Sequence, residues 1–166
     1  MTEIMVHRFT EDDLPAVTAG LGSRAPDVFR RRLRHQAEGG LTCFVAWLGE
    51  TPVGYVGVNI TDDRSPDEMI EARGYALVED LFVEEAYRRR GAARALMLAL
   101  EAHAQAAGMP GVILDTGTND SFAAARALYR SLGYVDQENV YLGGWSDPDH
   151  PGVHFVDPLT IWLKPF

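Results

Sequence analysis

Cysteine is almost missing from this chain. Cys43 is the only one, so no intramolecular disulfide can form and no zinc cluster can be built from thiolates. Its setting, Thr42-Cys43-Phe44-Val45-Ala46-Trp47, is strand-like and suits a buried structural thiol rather than a nucleophile. Long apolar runs are missing too. No uncharged stretch approaches the roughly 20 residues needed to span a bilayer, and no charged-then-apolar leader opens the chain. A cytoplasmic protein with no membrane partner is therefore expected. Positive charge is scarce: 15 Lys and Arg stand against 24 Asp and Glu, a formal net charge of −9. That balance argues against a general nucleic-acid binder, which needs a basic footprint, and is compatible with a cationic substrate. His7, His35, His103, His150 and His154 show no metal-ligand spacing, and no metal is expected. A Walker loop would need Gly-Lys followed by Ser or Thr, and a dinucleotide fingerprint three glycines at its turn; neither is present.

What remains is the composition of a globular protein. At 166 residues, 46% of them apolar, one domain over residues 1–166 can bury a sizeable core without metals or disulfides. Strand-like and helix-like segments alternate, as in α/β or α+β proteins. The chain is organised around Tyr75 to Gly108. Tyr75 to Val83 is an apolar strand run interrupted by Glu79 and Asp80, whose neighbouring positions send them to opposite faces of a strand. Tyr87 to Ala93 is a basic, small-residue turn. From Ala92 to Ala107 a helix is expected, with Ala93, Leu96, Leu100 and Ala104 on one stripe and Arg94, Glu101 and Gln105 mostly away from it. A helix start offers unpaired N–H groups and partial positive charge, and small residues let an anion approach. The turn therefore suits a phosphate, with Arg88, Arg89 and Arg90 beside it. An ordinary strand-turn-helix with a solvated Arg run is the alternative.

Either side of this unit, the punctuation is clear. Ile4 to Phe9 reads as a strand, followed by a helix capped by Thr10 with Asp13 three residues on and ending near Gly20 to Gly22. Pro26 starts a second helix that stops at Gly39-Gly40. Its arginines, together with Arg24, read as a solvated face, with a place on a substrate or cofactor rim as the functional alternative. Thr42–Leu48 and Pro52–Ile60 form a hairpin, and Gly54 and Gly57 mark a bulge or a close backbone approach. Thr61 to Gly74 is a loop. Gly111 to Thr116 is a buried strand, and Phe122 to Leu132 a helix closed by Gly133 in a Schellman position. Tyr134 to Tyr141 and Phe155 to Leu163 are the last strands, the second bulged or frayed by Pro158, with a turn-rich loop from Gly143 to Val153 between them.

Arg88-Arg89-Arg90-Gly91-Ala92-Ala93, after a strand ending Leu81-Phe82-Val83, resembles the acyl-CoA signature (Arg/Gln)-x-x-Gly-x-(Gly/Ala) of the GCN5-related N-acetyltransferase (GNAT) superfamily. Residues 127 to 134, Ala-Leu-Tyr-Arg-Ser-Leu-Gly-Tyr, resemble a second hallmark of that family. The likeness implies a mixed, mostly antiparallel sheet of about seven strands flanked by about four helices. The strands ending near Val83 and Thr116 would splay apart to admit the pantetheine arm. It also implies acetyl-CoA as cosubstrate, held by Leu81, Phe82, Val83 and the amides and side chains from Arg88 to Arg94.

Transfer of an acetyl group to an amine needs a base for the ammonium proton and an acid for the leaving thiolate. Glu79 and Asp80 are the candidates for the base. The segment from Leu77 to Val83 is similar to polyamine acetyltransferases, a likeness that makes Glu79 the base and lets Asp80 help hold a cationic small-molecule amine. Tyr129 is the implied acid, although its stripe with Ala125, Leu128 and Leu132 would also suit plain packing. The family's pantetheine-binding Asn falls here on Phe122, so Asn119 or Ser121 would have to substitute. His150 could reach the acceptor. A non-catalytic acyl-CoA sensor and an acetyltransferase of protein N-termini or lysines are the competing functions. A homodimer is expected from the aromatic carboxy-terminal strand (Phe155, Trp162, Phe166) and from the frequency of dimers in the family.

Overall fold

The computed structural model describes residues 3–61, 74–147 and 149–166. Most of the expected loop from Thr61 to Gly74 lies outside the described residues, as does Pro148 in the later loop. Among the described residues there are seven strands: β1 (Ile4–Arg8), β2 (Thr42–Leu48), β3 (Thr51–Asn59), β4 (Ala76–Val83), β5 (Gly111–Gly117), β6 (Val135–Ser146) and β7 (His154–Pro165). The α-helices of the described residues are α1 (Leu14–Gly20), α2 (Pro26–Ala37), α3 (Ala92–Ala106) and α4 (Ala123–Ser131). The sheet order is β1-β2-β3-β4-β5-β7-β6, mostly antiparallel with β4 and β5 parallel, as expected. The chain forms two compact units, Met1–Asn59 with Glu79–His103, and Ile60–Val78 with Ala104–Phe166.

In the first unit Thr10 caps the chain entering α1: its backbone N–H and its hydroxyl both donate to Asp13 Oδ2 at 2.8 Å. Apolar residues of α1, α2, β2 and β3 then bury a common core of Phe9, Val17, Leu21, Phe29, Leu41, Cys43, Val45, Trp47 and Tyr55. Phe9, Phe29 and Tyr55 meet edge to face, with centroids 5.9–6.4 Å apart. Gly54 and Gly57 are places of close approach, as their position inside a strand suggested. A Cβ on Gly54 would stand 2.9 Å from the Phe82 carbonyl oxygen, and one on Gly57 would stand 3.3 Å from that of Glu79. The register shift is across the hairpin, between Ala46 and Trp47. Along α3, Glu101 departs from expectation and is buried. The buried stripe also takes in Ala92 and Met97, and positions 97, 101 and 104 share one helical face.

In the second unit β5 pairs with β4 at Ala76–Val112 and Leu77–Ile113, and with β7 along its length. Tyr75, Leu77, Tyr141 and Leu163 pack on Ile113 and Ile161. Helix α4 ends as expected. Gly133 has φ 90°, the Tyr134 N–H donates to the Tyr129 carbonyl at 3.0 Å, and the Gly133 N–H donates to that of Arg130 at 3.1 Å. Two expectations fail here. The turn-rich loop is shorter than Gly143–Val153, because the β6–β7 ladder continues to Ser146–His154 and takes in Gly143 and Gly144. Pro158 neither bulges nor frays β7; it pairs in register with Leu142. The β5 ladder ends one residue away at Gly117–Leu159, so the missing proline N–H breaks no bond on that side. The irregularity lies in β6 instead, between Asp136 and Val140, where Glu138 has φ 55°. Trp162 is buried and stands in the core rather than on a dimer surface.

Candidate active site

Halfway along β4 the backbone leaves the strand conformation. Asp80 has φ 57°, the left-handed region that Asp tolerates better than most residues. The consequence overturns the strict alternation expected of a strand: Glu79 and Asp80 do not part to opposite faces but meet on one guanidinium. Arg32 Nη1 donates to Glu79 Oε2 at 3.3 Å, and Arg32 Nη2 to Asp80 Oδ2 at 3.2 Å. Arg24 completes the cluster with two bonds to Asp80, Nη1 to Oδ1 and Nη2 to Oδ2, both at 2.9 Å. Its guanidinium lies 4.9 Å from the ring centre of Phe82. The solvated face expected for these arginines is therefore wrong for Arg24, which is buried, and for Arg32, which is half-buried. Two carboxylates inside an apolar strand are costly to desolvate alone, and the paired arginines offset that cost.

Behind Arg32 lies a buried pair that sequence reasoning missed. The Cys43 sulfur and the Tyr55 hydroxyl are 3.1 Å apart. Burial pushes the Cys43 thiol up to about 11 and raises Tyr55 well above the ordinary tyrosine value, so both stay neutral. Cys43 is thus the inert structural thiol its strand context suggested. Burial alone would lower Arg32, but Tyr55 and Cys43, once they ionise at high pH, and the carboxylates of Asp80 and Glu79 outweigh it, and the guanidinium is held charged more firmly than usual.

From Val83 the chain turns through a short 3₁₀ segment, Glu85–Tyr87, into α3. The Arg88 Nε donates to the Val83 carbonyl at 3.0 Å, and Arg90 lies over the Tyr87 ring at 5.6 Å. Arg89 has φ 63° and Gly91 φ 89°. Left-handed residues alternating through a turn aim successive N–H groups into one concavity, and such concavities hold anions. Gly91 then opens the helix, its carbonyl accepting the Ala95 N–H at 2.9 Å. A Cβ at Gly91 would meet nothing within 4 Å, so glycine is needed there for its backbone conformation. Arg88, Arg89, Arg90, Gly91 and Arg94 are exposed, Ala92 is buried and Ala93 half-buried. An exposed helix start, flanked by cations and open above Gly91, fits the diphosphate of an acyl-CoA. Leu81 and Phe82 are half-buried and Val83 is buried on the strand leading there.

The remaining candidates belong to the second unit. Tyr129, on α4, is buried against Tyr134 and Trp162, with ring centres 6.0 and 6.3 Å away. Burial, and then Asp115, push its hydroxyl up to about 12, so it stays a donor at physiological pH. Asn119 and Ser121 occupy each other: Asn119 Oδ1 accepts from the Ser121 N–H at 3.0 Å and from its hydroxyl. Phe122, at the family's Asn position, lays its ring against Gly117 at the end of β5, where a Cβ would stand 2.3 Å from it. His150 is exposed and bonded to Asp147 Oδ2 at 2.7 Å. The Asp149 backbone N–H and that imidazole hold the Asp147 carboxyl below its usual range.

Comparisons with known proteins converge on one family. The model of the Acetyltransferase (GNAT) family matches residues 6–134. N-acetyltransferase 8 from Homo sapiens is 35% identical over 106 residues, a match that covers 63% of this chain and 44% of the human protein. The chain thus spans less than half the length of that curated relative. A GNAT-family acetyltransferase from Desulfovibrio desulfuricans has the same fold with a TM-score of 0.70, at 17% identity, over 98% of this chain and 99% of the other. Arabidopsis thaliana NAA60, solved with acetyl-CoA, gives 0.69 at 19% identity, over 97% and 98% of the two chains.

Proposed function

The chain belongs to the GNAT acetyltransferase family, and from that membership we propose that it moves an acetyl group from acetyl-CoA to a primary amine of a small molecule. The observation that carries the proposal is the turn of Arg89 and Gly91 at the head of α3, a phosphate cradle within the matched residues. When bound there, acetyl-CoA supplies an activated acetyl group as a thioester. Arg88, Arg89, Arg90 and the first amides of α3 would hold its diphosphate. Glu79 accepts, through a water, the proton that the acceptor ammonium must lose before its nitrogen can attack the acetyl carbon. The new C–N bond forms as the C–S bond breaks; Tyr129 donates its hydroxyl proton to the departing sulfur, and the second proton, which the acetylated nitrogen then sheds, returns through water to the tyrosine. Arg32 steadies Glu79 by one oxygen only, through a long contact, which is compatible with a base that remains usable.

The reading is tested by Glu79→Gln and Tyr129→Phe in a thiol-release assay with acetyl-CoA and a panel of amines, amino acids and peptides. Each variant should lose about 10²–10⁴-fold in turnover, the range typical of positioned acids and bases. The Glu79→Gln deficit should shrink at high pH, where free amine is abundant, and acetyl-CoA affinity should hold in both. Wild-type turnover in both variants, with chemistry rate-limiting, would remove these roles. Acetyl-CoA binding with no turnover on any acceptor would leave a sensor domain in place of an enzyme. Self-association as a homodimer belongs to the same proposal, through β6 at the sheet edge.

A further inference from the structure

Among the described residues, the cluster on β4 has equal numbers of opposite charges: Arg24 and Arg32 against Glu79 and Asp80. Both oxygens of Asp80 are taken, each by a guanidinium nitrogen of Arg24 at 2.9 Å, and Arg32 reaches a second time to one of them. We infer that Arg24 and Arg32 are specificity-determining residues, which cancel the charge of the two carboxylates and so turn the site away from polycationic acceptors toward amines carrying a single positive charge. The inference deepens the reading above and rests on it, since it requires an amine that comes to Glu79.

Three features argue that the cancellation is built in. Arg24 is buried and clamped between Asp80 and the Phe82 ring, so it cannot swing aside to free a carboxylate for an incoming ammonium. Arg32 projects from α2 between the carboxylates, bonded to both, and as a guanidinium it remains charged at any pH the protein survives. The left-handed backbone at Asp80 is what turns both carboxylates toward the arginines at all. A polyamine finds its extra attraction in uncompensated carboxylates a few ångströms away, and here that attraction is already spent within the protein. The local motif of β4 is similar to polyamine acetyltransferases, while the arginines of the α1–α2 connection and α2 work against that substrate class.

The test measures binding rather than turnover. Isothermal titration of the coenzyme A complex with tricationic spermidine and with monocationic propylamine gives a ratio of dissociation constants. The wild-type protein should show little preference for spermidine. In Arg24→Met the ratio should move toward spermidine by about tenfold, the scale of one unmasked charge near an ammonium, and the gain should fade as salt is raised. Arg24→Met combined with Asp80→Asn should restore the wild-type ratio, and Arg24→Lys, which keeps the charge, should hardly change it. If Arg24→Met does not fold, Arg32→Gln exposes the same carboxylates and carries the same expectation. An unchanged ratio in a folded variant overturns the inference. Failure of the parent reading looks different: Glu79→Gln would then leave turnover intact, whatever the binding ratio does.

Discussion

Tyr129 keeps its proton well past the point where a free tyrosine loses it, because burial and Asp115 hold its hydroxyl at about 12. Such a hydroxyl stays a hydrogen-bond donor across the whole working range, and in the proposed role of acid it would contribute no alkaline limb to the rate profile. Asp115 itself is the more telling titrating group. Burial raises its carboxyl above the ordinary value of 3.8, against the pull of the Tyr141 hydroxyl, which donates to Oδ2 at 2.6 Å. A carboxyl with a raised folded-state value contributes stability that is complete below 3.8 and is lost as pH rises through the raised value. Asp115→Asn removes that dependence while keeping an acceptor for Tyr141. Thermal melts of the two proteins should therefore diverge with pH, the wild type losing ground to the variant between acid and neutral conditions. Parallel melting curves across that window would mean that Asp115 is not penalised by its burial.

The elements themselves were largely legible, because their signals are local. Pro26 and Gly39-Gly40 bracket α2, Gly133 ends α4, and the 3.6-residue repeat outlines α3 to within a residue. What escaped was decided by contacts across space. A strand period cannot announce that Asp80 sits in a left-handed conformation, and charges on α2 do not reveal that carboxylates wait opposite them. Tyr55 was passed over because an aromatic residue in a strand looks like core, and it is core as well as the neighbour of Cys43. The strand-turn-helix before α3 was legible from residue type, and so was its suitability for an anion; the left-handed Arg89 was not. Gly91 allows that site to be probed without confusing strain with charge. Gly91→Gln and Gly91→Glu share the same bulk and the same cost of a side chain at positive φ, about 1–2 kcal/mol of stability. Only Glu sets a negative charge against a diphosphate. Calorimetry should show acetyl-CoA binding weaker in Glu than in Gln by about tenfold, and equal affinities would withdraw the phosphate assignment.

For the molecule as a whole, the surface that stands out is the outer hairpin. Val140, Leu142 and Val156 are 60%, 72% and 67% exposed, and among the described residues β6 is the edge strand of the sheet. Antiparallel contact between two copies of one edge satisfies two-fold symmetry with no further device. The expected dimer thus keeps Phe155 and Phe166, which are exposed, but must do without Trp162. Sedimentation should find a species of twice 18.3 kDa at high micromolar concentration, reduced to monomer by Leu142→Lys. A wild-type protein that stays monomeric under those conditions would rule the association out.

The left-handed residue in β4 also shapes which sequences this fold can explore. At position 80 the usual preferences of a strand are inverted: Val, Ile and Thr, the residues that strands favour, are those a positive φ penalises most, while Asn and Gly fit the backbone. Asn would keep the shape and give up the anion that Arg24 holds, and Gly would give up the side chain altogether. Asp alone among the twenty residues joins tolerance of that backbone to a short charged side chain. The route to a new acceptor therefore runs through the arginines around it, with position 80 the last to drift.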